Sequence, residues 1–131
     1  MAERCKVLII DDDRDITRGL SVRFHAAGYD VLTAASGTTG LEMATESVPD
    51  SILLDIQMPG MDGFEVLRRL KQQAATRTIP VIVVSANVVD QVRTRALASG
   101  ASHFASKPFQ AAKLVAAVHD AIMSARISTS P

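Results

Sequence analysis

The sequence predicts an α/β domain built on a doubly wound, five-stranded parallel sheet with helices on both faces. Two observations lead there. Short β-branched apolar runs alternate with longer segments of helical period, five times in succession. Runs such as VLII and VIVV are apolar at consecutive positions, so both faces of those strands must be covered, as in a parallel sheet between helical layers. Right-handed crossovers leave few arrangements of such units, and the doubly wound ones are commonest.

The elements follow in chain order. Lys6–Ile10 (KVLII) reads as the first strand and 14–27 as a helix that stops at Gly28. Asp30–Ala34 (DVLTA) is the second strand, followed by a helix over 37–47. SILL at 51–54 is the third strand, and the helix over 62–73 opens on Asp62, an N-cap before GFEVLRRL. PVIVV at 80–84 is the fourth strand, with a helix over 89–99 stopped by Gly100. The weaker SHFA at 102–105 is the fifth strand, and the last helix covers 110–125. SARISTSP is polar and aperiodic, so the domain is expected to span 4–125 and residues 126–131 to form a disordered tail or a truncated linker.

Composition narrows the function. A chain of 131 residues, 47% hydrophobic and 21% charged, has room for one domain with a proper core and no second one. Lys plus Arg equals Asp plus Glu at 14 each, and only one Tyr and four Phe could stack on bases, so direct nucleic-acid binding is disfavoured. Cys5 is the only cysteine, no signal peptide opens the sequence, and no apolar run approaches the roughly 20 residues of a bilayer crossing. The expectation is a cytoplasmic protein without a membrane partner. His25, His103 and His119 lack zinc spacing and read as surface residues.

In a doubly wound sheet all strand C-termini share one edge, where ligands bind. After the first strand come Asp11, Asp12 and Asp13; after the third, Asp55; after the fourth, Ser85; after the fifth, Lys107. The second ends in Ala34 and Ala35. If the strand order is 2-1-3-4-5, the four polar ends are neighbours and the bare one is marginal. Each residue alone has a plain explanation: Asp12 or Asp13 as a helix cap, Ser85 as a turn residue, Lys107 as a solvated cation. Together they are harder to dismiss. Two carboxylates about 4 Å apart repel by roughly 4 kcal/mol at an effective dielectric of 20, so a positive partner is required. A hard divalent cation such as Mg2+ suits oxygen ligands, and Lys107 supplies a point charge for a phosphoryl group. Asp55 stands alone between Leu54 and Ile56, whereas Asp11 and Asp12 are adjacent and can share the metal. Asp55 is therefore the assigned nucleophile, forming an aspartyl phosphate. The Pro59-Gly60 turn then brings a backbone carbonyl just past Asp55 towards the cation.

These residues resemble the receiver domain of bacterial two-component response regulators, over the chain up to about Ile122. VLIIDDD, LLDIQMPGMDG, VIVVSA and SKPF stand in the family's order, with thirty residues from Asp55 to Ser85 and twenty-two from Ser85 to Lys107. The resemblance implies the CheY-like (flavodoxin-like) fold with strand order 2-1-3-4-5. It implies Asp55 as phosphoacceptor, Mg2+ (or Mn2+) as cofactor, and Asp11, Asp12, Asp55 and the Gln57 carbonyl as its ligands. Ser85 and Phe104 match the switch pair, Lys107 the catalytic cation, and Gln57 and Asn87 the positions that tune the lifetime of the phosphorylated state. The Lys107–Pro108 bond is expected to be cis.

The implied partners are a sensor histidine kinase or histidine phosphotransfer protein and a downstream target or output domain. The implied output surface is formed by the fourth helix, fifth strand and fifth helix, and can also form a homodimer. On this reading the protein is not an enzyme beyond its own phosphorylation and dephosphorylation. Two other readings compete. A Mg2+-dependent aspartyl-phosphate hydrolase of the haloacid dehalogenase type wants a second aspartate two residues after the first, where this chain has Gln57. A phosphate-independent pseudo-receiver would not need complete acidic, hydroxyl and lysine sets. No Gly-x-Gly-x-x-Gly follows the first strand, which disfavours a dinucleotide-binding enzyme.

Overall fold

A computed structural model of the chain describes residues 4–86 and 90–129. Five strands, β1 (Lys6–Ile10), β2 (Asp30–Ala34), β3 (Ser51–Asp55), β4 (Val81–Ser85) and β5 (His103–Ser106), alternate with five helices. The helices are α1 (Arg14–Ala26), α2 (Gly37–Ser47), α3 (Gly63–Gln72), α4 (Asp90–Ala98) and α5 (Ala111–Thr129). The sheet is parallel throughout, in the order β2-β1-β3-β4-β5.

The consecutive apolar residues of the central strands serve two cores. Leu8, Ile10, Ile52, Leu54, Val81 and Val83 pack on one face with Leu41 and Ala44 of α2, Val66, Leu67 and Leu70 of α3, and Ala96 of α4. Val7, Ile9, Leu53, Ile82 and Val84 point the other way, to Leu20 and Phe24 of α1 and Leu114, Val118 and Ile122 of α5. Strand side chains alternate between faces, so the middles of β1, β3 and β4 are apolar on both sides and their polar residues fall at strand ends.

Local signals placed the helix ends. The Asp13 carboxylate accepts from the amides of Asp15 and Ile16 at 3.0 and 3.2 Å, and Asp62 accepts from Phe64 at 2.9 Å. Gly28 and Gly100 sit at φ +97° and +108°, a left-handed conformation that ends a helix at little cost in glycine. Strand β4 begins one residue later than expected because Pro80 has no N–H for the ladder.

The helical tail is a correction. The last helix does not give way at 126 but continues to Thr129. Arg126 anchors this turn to the sheet's lower edge, with Nη2 3.3 Å from Cys5 Sγ and 4.0 Å from Asp50 Oδ1. Ile127 is exposed, so no apolar period marks the extension. Among the described residues no helix is long and apolar enough to cross a membrane.

Candidate active site at the C-terminal edge of the sheet

The parallel register lines up the strand ends. Ile10 stands opposite Leu54, Asp55 opposite Val84, and Ser85 opposite Ser106, so the next residues, Asp11 and Lys107, fall beside Asp55 and Ser85. Asp11, Asp55 and Ser85 are buried while Asp12 is exposed. Each of Asp11, Asp12 and Asp55 offers one carboxylate oxygen, and the three lie within 4.8 Å of one another.

Lys107 bridges the two buried acids, with Nζ 3.1 Å from Asp55 Oδ2 and 3.3 Å from Asp11 Oδ2. The other oxygen of each acid is held by the backbone two residues on. Asp11 Oδ1 accepts from the Asp13 amide and Asp55 Oδ1 from the Gln57 amide, both at 2.9 Å. Asp13, read only as a cap, therefore does a second job. The signal was the short Asx turn that aspartates form with the amide at i+2.

Burial pushes the Asp11 carboxyl above its usual range; the Asp13 amide and Lys107 pull against this, and the Asp55 charge adds to it. Burial alone would lower the Lys107 ammonium, but hydrogen bonds and charges from Asp55 and Asp11 outweigh it and raise it above its ordinary value. Lys107 thus stays cationic at neutral pH. One ammonium among three carboxylates leaves the pocket short of positive charge. Clustered hard oxygen donors with that deficit fit a small divalent cation such as Mg2+.

The remaining expected residues surround this centre. Ser85 ends β4 fully buried. Phe104 on β5 lies beside Val83, half-buried against the α2–α3–α4 core. Gln57 is exposed in the β3–α3 loop, and Asn87 lies outside the described residues. The Lys107–Pro108 bond is cis. Beyond β2, whose end bears only alanines, a cavity of about 300 Å³ opens beside Asp11, lined by Arg14, Thr17, Arg18 and Thr33.

Gly63 is a supporting residue that the sequence did not single out. Its amide donates to the Ile56 carbonyl at 3.1 Å, and a Cβ there would stand 2.8 Å from that oxygen and 2.9 Å from the Asp55 carbonyl oxygen. The first residue of α3 is thus pressed against the backbone of the buried acid. Nothing but hydrogen fits.

The doubly wound sheet, with three carboxylates, a buried hydroxyl and a bridging lysine at its switch-point edge, has the architecture of the receiver class. The chain belongs to the response regulator receiver domain family, whose model matches residues 7–119. It is 44% identical over 113 residues to the response regulator PleD of Caulobacter vibrioides, covering 86% of this chain and 25% of PleD. It is 40% identical over 125 residues to the transcriptional regulatory protein PrrA of Mycobacterium tuberculosis, covering 95% of this chain and 52% of PrrA. The receiver domain of a Francisella response regulator superposes with a TM-score of 0.87 at 30% identity, over 92% of this chain and 98% of that one. The chain therefore spans a quarter to about half the length of these curated relatives.

Proposed function

We propose that this domain is a phosphorylation-dependent signalling switch in which Asp55 accepts a phosphoryl group from a phosphohistidine on a sensor kinase or phosphotransfer protein. The observation that carries this reading is the Lys107 bridge between Asp55 and Asp11 inside a three-carboxylate cluster. Asp55 Oδ2 attacks phosphorus, the P–N bond to imidazole breaks, and the electron pair leaves with the ring nitrogen. Asp55 Oδ1 stays tied to the Gln57 amide, which fixes the carboxylate's orientation. Lys107 is placed to neutralise charge on the transferred group.

Asp11, Asp12 and Asp55, with the Gln57 carbonyl, would hold Mg2+ or Mn2+. When bound, such a cation supplies charge neutralisation for the phosphoryl oxygens. Once Asp55 is modified, about two negative charges stand at the ends of β4 and β5. The Ser85 hydroxyl then bonds a phosphate oxygen, Phe104 turns inward, and the surface of α4, β5 and α5 changes for a downstream partner or a second copy. By the family resemblance, Gln57 and Asn87 tune the lifetime of the modified state. The protein acts in the cytoplasm, catalysing only its own phosphorylation and dephosphorylation.

The test is incubation with Mg2+ and a small acyl phosphate, followed by intact-mass measurement. The wild type should gain one phosphoryl group and Asp55→Asn none. Turnover of the donor without accumulation would favour a hydrolase; no reaction at all would favour a phosphate-independent module.

A further inference from the structure

Helix α4 is the least anchored helix on its face of the sheet: of its residues only Ala96 is buried and Val92 is half-buried, while Leu97 is 41% exposed. On the α3 side, the guanidinium carbon of Arg95 lies 3.8 Å from the centroid of the Phe64 ring. Acidic residues line the same groove, yet Arg95 stacks on the ring. Glu65 is already engaged by Arg68 and Arg69, and Asp62 caps α3 through the Phe64 amide. The π-face is what the groove leaves for a cation.

Phe64 is not an ordinary surface ring. It directly follows Gly63, whose close approach to the Asp55 and Ile56 carbonyls packs the start of α3 against the end of β3. We propose that the Arg95–Phe64 stack is a latch that ties the position of α4 to the phosphoacceptor loop, by a route separate from Ser85 and Phe104. It deepens the switch reading and rests on it for the identity of the signal. Arg95 is a positioning residue in this scheme: it acts through Phe64 and Gly63 on the backbone that carries Asp55. Coupling of this kind is reciprocal, so a partner that draws α4 away would also loosen the loop over 56–62.

Hydrogen exchange followed by mass spectrometry on the full chain tests this without any phosphoryl donor. Arg95→Met keeps the stem of the side chain and removes the charge; Phe64→Leu keeps apolar packing and removes the π-face. Each should speed exchange about two- to fivefold in α4 and in the loop over 56–62, the range a half-exposed cation–π contact supports. The double variant should go no further than either single one. Faster exchange confined to α4, or additive effects in the double variant, would overturn the latch and leave a local surface contact. A second arm adds Mg2+ and acyl phosphate. Modified wild type should approach the α4 exchange of Arg95→Met, and an α4 unmoved by phosphorylation would also count against the latch. If the wild type takes up no phosphoryl group while both segments still respond to Arg95→Met, the phosphoacceptor reading fails and the latch stands.

Discussion

At the scale of single residues, the site depends on charge balance around Lys107. Its ammonium is held by Asp55 and Asp11, two of the acids that would hold a dication, so the two cations compete as well as cooperate. Lys107→Met should therefore bind Mg2+ more tightly, by roughly tenfold, about 1.4 kcal/mol, while accepting phosphoryl groups from acyl phosphate far more slowly. Calorimetry and intact mass read the two effects separately. The polar members of this pocket were legible in the sequence because each ends or follows a strand and strand ends share one edge. Gly63 was not, since what matters there is the distance to another segment's backbone. Gly63→Ala should destabilise the fold by about 1–3 kcal/mol, as overpacking against backbone does, and weaken Mg2+ binding. A variant with wild-type urea midpoint and metal affinity would show that the close approach is incidental.

At the scale of elements, period and punctuation carried most of the reading. Every strand and helix lies where its apolar pattern put it, with ends set by Asp13, Asp62, Gly28 and Gly100. The last turn of α5 escaped because its anchor is one arginine reaching Cys5 and Asp50, a tertiary contact with no local signature. Helix α3 gives a pH test. Hydrogen bonds from Arg68 and then Arg69 lower the Glu65 carboxyl from 4.5 to about 2. A depressed carboxylate stabilises the folded state above its unfolded value and loses that contribution as pH falls from about 4.5 towards 2. Glu65→Gln should flatten the stability profile in that window. The pair lies at the surface, in reach of solvent and salt, so the difference should be small and should shrink in high salt. An unchanged acid limb at low ionic strength would mean that the arginines do not hold Glu65 in solution.

At the scale of the molecule, two cores on opposite faces clamp a sheet whose upper edge is polar and under-neutralised. The α1–α5 side is well filled by Phe24, Leu114 and Val118, whereas α4 on the other side has one buried residue. One firm face and one weakly held helix would suit the proposed change of surface without unfolding. That chemistry and surface change rest together on one claim, that carboxylates from the ends of β1 and β3 form a single cation site. Titration calorimetry with Mg2+ at neutral pH, on the wild type beside Asp12→Asn and Asp55→Asn, tests it most directly. One ion per chain is expected for the wild type, with a loss of at least tenfold in affinity for each variant. Absence of binding in the wild type, or affinity untouched by either substitution, would contradict it.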